Sequence, residues 1–299
     1  MLMPLTYVLI TPARNEAKYI ELTIKSVIAQ KIRPLRWVVV SDGSTDGTDD
    51  IVKRYMAQYP WIELIRMPKR MERNFAGKVY AFNAGYDRVN HVQFDALGCV
   101  DGDASFGPDY FAFLLEKLTS DPNLGLVGTA FREPSSQSYD YRFVSIEHVT
   151  GICQLFRREA FDQIGGYVPV KGGAIDRIAN IALRMKGWKT RTFAEKCYFH
   201  HRQMGTAQQN SLGARFKDGA KDYAVGSHPV WELFRTAYQM TRKPLIIGGV
   251  ALLWGYLWSS MHRLPRAVSS EMVVFHRREQ MQRLRDFFMG KTLIRARQH

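Results

Sequence analysis

The chain of 299 residues carries 42 Lys and Arg against 28 Asp and Glu, a net charge of +14, with 46% hydrophobic and 23% charged residues. This composition excludes a disordered chain and a small disulfide scaffold, and a mean hydropathy of −0.25 excludes a polytopic membrane protein. The basic surplus calls for a phosphate-bearing partner, whether nucleic acid, anionic lipid or a phosphorylated small substrate.

Thr6 to Ile10 is a short β-branched run of the kind that forms a buried strand. Asn15 then stands where it can cap a helix whose stripe is Tyr19, Ile20, Ile24, Val27 and Ile28. Arg36 to Val40 reads as a second strand. Thr48 reads as the cap of a second helix, with Asp49 and Asp50 in the first turn and Ile51, Val52 and Tyr55 on its apolar side. Trp61 to Ile65 is a third strand. This alternation implies a parallel sheet covered on both faces, with ligands bound beyond the carboxyl ends of the strands.

Further along, the pattern predicts a helix from Asp109 to Leu118, a strand from Leu124 to Phe131 and a helix opened by Arg157-Arg158-Glu159. A Gly-rich stretch, Gly165-Gly166 and Gly172-Gly173, precedes an amphipathic helix with Ile175, Ile178, Ile181, Ala182 and Met185 on one side. Cys99, Cys153 and Cys197 are odd in number and far apart, which reads as reduced structural thiols. The first residues have no basic region and only a short apolar run, so a signal peptide is not expected.

The last third differs. Pro244 to Met261 has 18 residues without a charge, which as a helix reaches roughly 27 Å against a hydrocarbon thickness of roughly 30 Å. Residues 262–299 hold nine Lys or Arg and three acids. Arg242 and Lys243 before the apolar segment and Arg263 and Arg266 after it put cationic flanks on both sides. That distribution fits an interfacial or re-entrant helix better than a span, with a buried core helix as the other reading.

Three polar stretches follow apolar runs. Thr11-Pro12-Ala13-Arg14-Asn15-Glu16 offers backbone groups to a ligand at the end of the first strand, and is equally an ordinary capped turn. Ser41 to Thr48 (SDGSTDGT) combines glycines for tight turns with Asp42, an acceptor for a base N–H or a ribose hydroxyl. Asp101-Gly102-Asp103 presents two carboxylates able to hold a hard divalent cation that also bridges phosphates, although the same triplet is common in exposed turns.

Taken in order, TPARNEAKYIELTIKSVIAQ, VVVSDGSTDGTDDIV, GKVYAFNAGYD, CVDGDASFGPDYF and FRREAFDQIGGY resemble the family 2 glycosyltransferases, which have the GT-A fold. The resemblance runs from about Thr6 to Gly205. It implies a nucleotide pocket lined by Pro12, Asn15 and Glu16, a base contact from Asp42, and Lys78 near the diphosphate. It further implies a metal-binding DxD in which Asp103 is the main ligand of Mn²⁺ or Mg²⁺ and Asp101 lies nearer the ribose or a metal-bound water.

Inverting transfer needs a base for the acceptor hydroxyl. In the family this is usually the Asp of a Glu-Asp pair after a Gly-rich loop. Here the matching stretch is Gly172 to Arg177, with Ile175 at the Glu position and Asp176 as the expected base; an acid in the first turn of a helix is also at home there for electrostatic reasons. His200 or His201 stands where many GT-A enzymes complete the metal shell. The chain lacks a Gln-x-x-Arg-Trp motif, which by resemblance disfavours a processive synthase of the cellulose or hyaluronan kind.

The expected organisation is an α/β GT-A domain, with residues 1–104 as the nucleotide-sugar half and 105–210 as the acceptor half. Residues 211–299 form a helical, basic and apolar region on the cytoplasmic face of the cell membrane, peripheral or monotopic, facing anionic lipid. The expected activity is metal-dependent transfer from a nucleotide diphosphate sugar, UDP-linked, to a glycan or lipid-linked acceptor in cell-surface polysaccharide or glycolipid synthesis. The alternatives are a catalytically silent relative that binds nucleotide or glycan, and a polyprenyl-phosphate glycosyltransferase. Nucleic acid is not an expected partner, because the basic excess lies beside apolar sequence without a recognition motif.

Overall fold

The computed structural model describes residues 5–70, 74–134, 146–202 and 211–290. The chain divides into two compact units, Met1–Gln203 and Met204–His299.

The first unit begins with β1 (Tyr7–Ala13), α1 (Ile20–Ile28), β2 (Arg36–Asp42), α2 (Thr48–Met56), β3 (Ile62–Met67), α3 (Ala76–Val89) and β4 (Ala96–Val100). These four strands are parallel in the order β3-β2-β1-β4, with Ile10 opposite Val38 on one side and Cys99 on the other. Alternate residues go to opposite faces, as strand geometry requires. Tyr7, Leu9 and Val39 join α1 and α4 residues in one core, whereas Val8, Ile10, Val38 and Val40 join Val79, Phe82 and Val89 of α3 in the other. Strands buried on both faces explain why these runs are continuously apolar.

The unit continues with β5 (Ala104–Ser105), α4 (Tyr110–Ser120), β6 (Leu124–Arg132), β7 (Cys153–Arg157), α5 (Arg158–Gln163), α6 (Ile175–Met185) and β8 (Lys189–His200). Among the described residues the sheet has eight strands, ordered β3-β2-β1-β4-β7-β6-β8-β5. Because β7 runs antiparallel to β4, with Val100 opposite Cys153, the residues just before β7 lie at the carboxyl end of β4. This reversal brings Gly151 and Ile152 to the loop Asp101-Gly102-Asp103.

Two expected helix caps differ from the structure. The residue preceding α1 is Tyr19, whereas Asn15 has a φ of 56° and joins a loop instead. A short polar side chain that bonds locally tolerates this left-handed backbone. Thr48 is already inside α2, whose capping residue is Gly47 at φ 88°. Asp46 provides the side-chain oxygen, accepting the Thr48 N–H at 3.1 Å.

The second unit holds α7 (Ser211–Val225), α8 (Pro229–Met240), α9 (Leu245–Met261) and α10 (Ser270–Phe288). The glycines of the apolar segment bring α9 against α7 backbone to backbone: a Cβ on Gly255 would lie 1.9 Å from the Phe216 carbonyl oxygen. A polar hub ties in the other helices. Tyr256 Oη donates to the Ser227 carbonyl at 2.8 Å, and the His228 N–H donates to Gln280 Oε1 at 2.7 Å. Away from α7, Ile246, Val250, Trp254, Leu257, Trp258 and Met261 of α9 are exposed. No helix among the described residues is long and apolar enough to cross a membrane. Residues 291–299 of the basic tail lie outside the described residues, as does Gly205 at the end of the motif series.

Candidate functional site

The loops after β1 and β2 hold each other through a short hydrogen-bond ladder. The Asn15 N–H donates to Ser44 Oγ at 3.1 Å, and the Thr45 N–H donates back to Asn15 Oδ1 at 2.9 Å. The Glu16 N–H reaches Thr48 Oγ1 at 2.8 Å, and the Ala17 N–H reaches Asp46 Oδ2 at 3.0 Å. Pro12 sits inside β1 opposite Val40 rather than in the loop. Gly43, at φ 66°, passes so close to the end of β3 that a Cβ on it would lie 2.6 Å from Lys69 Cα.

Asp42, at the end of β2, is buried and faces two guanidinium groups. Arg70 Nε donates to its Oδ1 at 2.9 Å and Arg70 Nη2 pairs with its Oδ2, while Arg14 Nη1 stands 3.5 Å from Oδ2. The acceptor expected for a base N–H is thus already engaged by cations. Arg70 rests on the backbone of Gly77, where a Cβ would collide with its guanidinium. The sequence reading missed Arg70. Its signal was available, since Pro68-Lys69-Arg70 follows a third parallel strand and belongs to the same row of strand ends.

Beyond β4, the Asp101 N–H donates to the Ile152 carbonyl at 2.8 Å. Lys78 Nζ lies 2.5 Å from Asp101 Oδ1 and donates to the Gly151 carbonyl at 2.7 Å. From the other side of the same residue, the Gly151 N–H donates to Asp176 Oδ2 at 3.1 Å. One residue therefore ties the Lys78–Asp101 pair to Asp176, which opens α6. Burial works against the Lys78 ammonium, but the Asp101 carboxylate beside it raises its pKa. For Asp176, burial works against the charge, yet His148 at 3.5 Å and the Arg177 N–H hold its carboxyl well below the usual range.

Gly102 lets the loop lie close to its neighbours: a Cβ there would meet Glu16 Cγ at 3.2 Å and Ile20 Cδ1 at 3.1 Å, tighter than ordinary contact. Glu16 is thereby packed against the acidic loop. Burial, with Asp103 and Asp101 nearby and Arg202 opposing, pushes the Glu16 carboxyl up to about 7. Arg202 pairs with Glu16 Oε2 and stands 3.3 Å from Asp103 Oδ2. His200 Nε2 is 3.5 Å from Asp103 Oδ1, and its Nδ1 is 2.9 Å from Glu133 Oε1. Despite burial, His200 and Arg202 hold the Asp103 carboxyl down; burial pushes the Asp101 carboxyl up against Lys78.

Of the two adjacent histidines, His200 faces the acidic loop. His201 turns to Ser105, with Nε2 at 2.8 Å from Oγ, and stacks on Tyr19 at 5.9 Å. The structure thus collects Glu16, Lys78, Asp101, Asp103, Asp176 and His200 at one end of the sheet and adds Arg202, Glu133, His148 and Gly151. It leaves Asp42 engaged with Arg70 and Arg14, and Asn15 engaged with the neighbouring loop.

Among the described residues no group of three or more His, Cys, Asp and Glu is arranged to hold a metal ion by itself. The donor chemistry nevertheless fits a hard cation. Asp101 and Asp103 are oxygen donors on one tight loop, and ions of this class are commonly held by one or two carboxylates together with substrate phosphates.

Residues 8–145 match the model of a family described as glycosyl transferase family 2. Poly-β-1,6-N-acetyl-D-glucosamine synthase of Staphylococcus aureus (strain COL) is 23% identical over 267 residues, covering 81% of this chain and 61% of the relative. The chain thus spans less than two thirds of the length of that relative. Among solved structures, a mannosyltransferase from Pyrobaculum calidifontis in complex with GDP-Man and Mn²⁺ matches at TM-score 0.59 and 20% identity, covering 98% of this chain and 85% of the other. TarS 1–349 of S. aureus in complex with UDP-GlcNAc matches at TM-score 0.56 and 14% identity, covering 91% of this chain and 78% of the other. The fold of the first unit is accordingly the GT-A α/β fold with a mixed sheet.

Proposed function

This chain carries a family 2 glycosyltransferase domain, and we propose that it catalyses metal-dependent, inverting transfer of a sugar from a UDP-linked donor to a glycan or lipid-linked acceptor, in cell-surface polysaccharide or glycolipid assembly. The observation that carries this reading is the Gly151 junction. Its carbonyl receives Lys78, paired with Asp101, and its N–H holds Asp176, so diphosphate-binding and proton-accepting groups share one backbone anchor.

In this reading Asn15 and Glu16 form the nucleotide edge with Pro12 behind them, and Asp42 meets the base together with Arg70. Lys78 approaches the diphosphate. Asp103, with Asp101 beside it, would hold a divalent ion, which when bound would supply neutralisation of charge on the leaving diphosphate. His200 and Arg202 orient the Asp103 carboxylate, and Glu133 orients His200. Asp176 accepts the acceptor hydroxyl proton as the new C–O bond forms and the bond from the anomeric carbon to the nucleotide oxygen breaks. The Mn²⁺ in the P. calidifontis complex and the UDP-GlcNAc in the TarS complex support the ion and donor class.

The test is calorimetric titration of UDP, GDP and dTDP into the purified chain with and without Mn²⁺, repeated with Asp103→Ala. Mn²⁺-dependent binding of UDP that disappears in the variant is expected. Folded protein that binds no nucleotide overturns the reading.

The second unit acts, in the same proposal, at the cytoplasmic face of the membrane. The exposed apolar stripe of α9, with Trp254 and Trp258 near Arg263 and Arg266, supports an interfacial rather than a spanning helix. Flotation with vesicles containing phosphatidylglycerol tests this directly. Recovery of the full chain free of vesicles at low salt overturns it.

A further inference from the structure

The residue before Asp176 is Ile175, which is 8% exposed and packs into the core beneath the sheet. It gives the carboxylate no polar partner. The partner instead comes from the segment ahead of β7: His148 Nε2 lies 3.5 Å from Asp176 Oδ2. Both side chains keep a little under a third of their surface exposed, so both are open to a ligand.

His148 is fixed in place by two elements. Thr192 Oγ1 on β8 donates to the His148 carbonyl at 2.7 Å. One turn past Asp176 on α6, the buried Asn180 accepts the Val149 N–H at 3.0 Å and donates to the Val149 carbonyl at 2.9 Å and the Asp176 carbonyl at 2.8 Å. Asn180 thereby holds the histidine segment and the backbone of Asp176 in one clamp. The spacing between imidazole and carboxylate is consequently a property of the fold, not of two loose side chains.

We propose that His148 is a positioning residue for the transfer chemistry: clamped between β8 and α6, its imidazole fixes the Asp176 carboxylate for the acceptor hydroxyl. The inference rests on the reading of Asp176 as the base. The charged and titratable groups around this pair are Lys78 from α3, Asp101 beyond β4, Tyr167, Glu147 beside the histidine, and Arg177 and Arg184 on α6. His148 is placed in ion-pair range of Oδ2, opposite in effect to the burial that disfavours the carboxylate.

The test uses the full chain without substrate, so that it does not depend on the donor. Aspartate side chains are labelled with ¹³C at Cγ, and the Asp176 signal is identified by its loss in Asp176→Asn. In His148→Leu the Asp176 carboxyl is expected to titrate about one pH unit or more above wild type, because a partner that favours the charged form is gone. His148→Gln, which keeps a donor of similar reach, is expected to restore part of that shift. An Asp176 midpoint equal in wild type, His148→Leu and His148→Gln overturns the proposal. Failure of the base reading is separate: it shows as undiminished nucleotide-sugar turnover in Asp176→Asn.

Discussion

On the β1 and β2 side of the site, the loop residues Asn15, Ser44, Thr45, Asp46 and Thr48 bond to one another within two successive strand–loop–helix units. On the α6 side, by contrast, Lys78, Gly151, Asp176, His148 and Asn180 come from three separate stretches of chain, tied through backbone groups. The side proposed to bind the nucleotide is therefore a local construction. The side that carries Asp176, the proposed base, is non-local, and its geometry depends on how β7 reverses beside β4. Binding and turnover should accordingly respond to different substitutions.

The sharpest break of that comparison is Asp176→Asn. Removing a positioned base typically costs 10²- to 10⁴-fold, and the loss should fall on kcat, measured as nucleotide release with saturating donor. Nucleotide affinity by calorimetry should stay within about twofold, since Asp176 itself is not among the groups proposed to touch the nucleotide. An equal loss in affinity would show that the two sides are one unit.

Gly151→Ala probes the junction between them. Its Cβ would lie 3.1 Å from the Asp176 Cβ, so α6 or its aspartate must move by a few tenths of an ångström. Misplacement on this scale is expected to lower kcat by roughly tenfold with donor KM unchanged. The opposite response is expected from Asn15→Ala. It removes the acceptor of the Thr45 N–H and leaves a non-glycine residue in the left-handed region, at a cost of about 1 to 2 kcal/mol in stability. Denaturant unfolding should show this loss. Nucleotide affinity should weaken while kcat at saturating donor holds.

The same division governs how much could be read from the residues alone. The strands from Tyr7 to Ala13 and Arg36 to Asp42, and the acidic loop after β4, follow from apolar runs, the latter two ended by Asp-Gly and the first by a polar loop from Arg14. Helix α3 was legible only as a motif, because its small residues Ala76, Gly77, Ala81 and Gly85 are buried yet leave a weak apolar stripe. Gly85 sits where a Cβ would meet Ile10 Cγ2 at 2.6 Å. Glu133, His148 and Arg202 carried no local signal. Glu133 meets His200 across 67 positions and Arg202 meets Glu16 across 186, and no periodicity within a window reports such pairs. The caps at Asn15 and Thr48 were misplaced because both residues have a stronger bond to make across loops than within their own helix.

The smallest effect should come from the entrance to α6. Ala174 has a φ of 67°, directly before Ile175 and Asp176, and follows Gly173 at φ 98°. An L-residue there carries a steric penalty of roughly 1 to 2 kcal/mol, part of which glycine returns as backbone entropy in the unfolded chain. Ala174→Gly should therefore raise stability by about 0.5 kcal/mol, read from the urea midpoint at unchanged slope. If the left-handed turn only delivers α6, kcat stays as in wild type, because Asn180 and Gly151 continue to hold Asp176. A fall in kcat with a gain in stability would instead mean that the alanine's restriction of the turn is part of how the carboxylate is aimed.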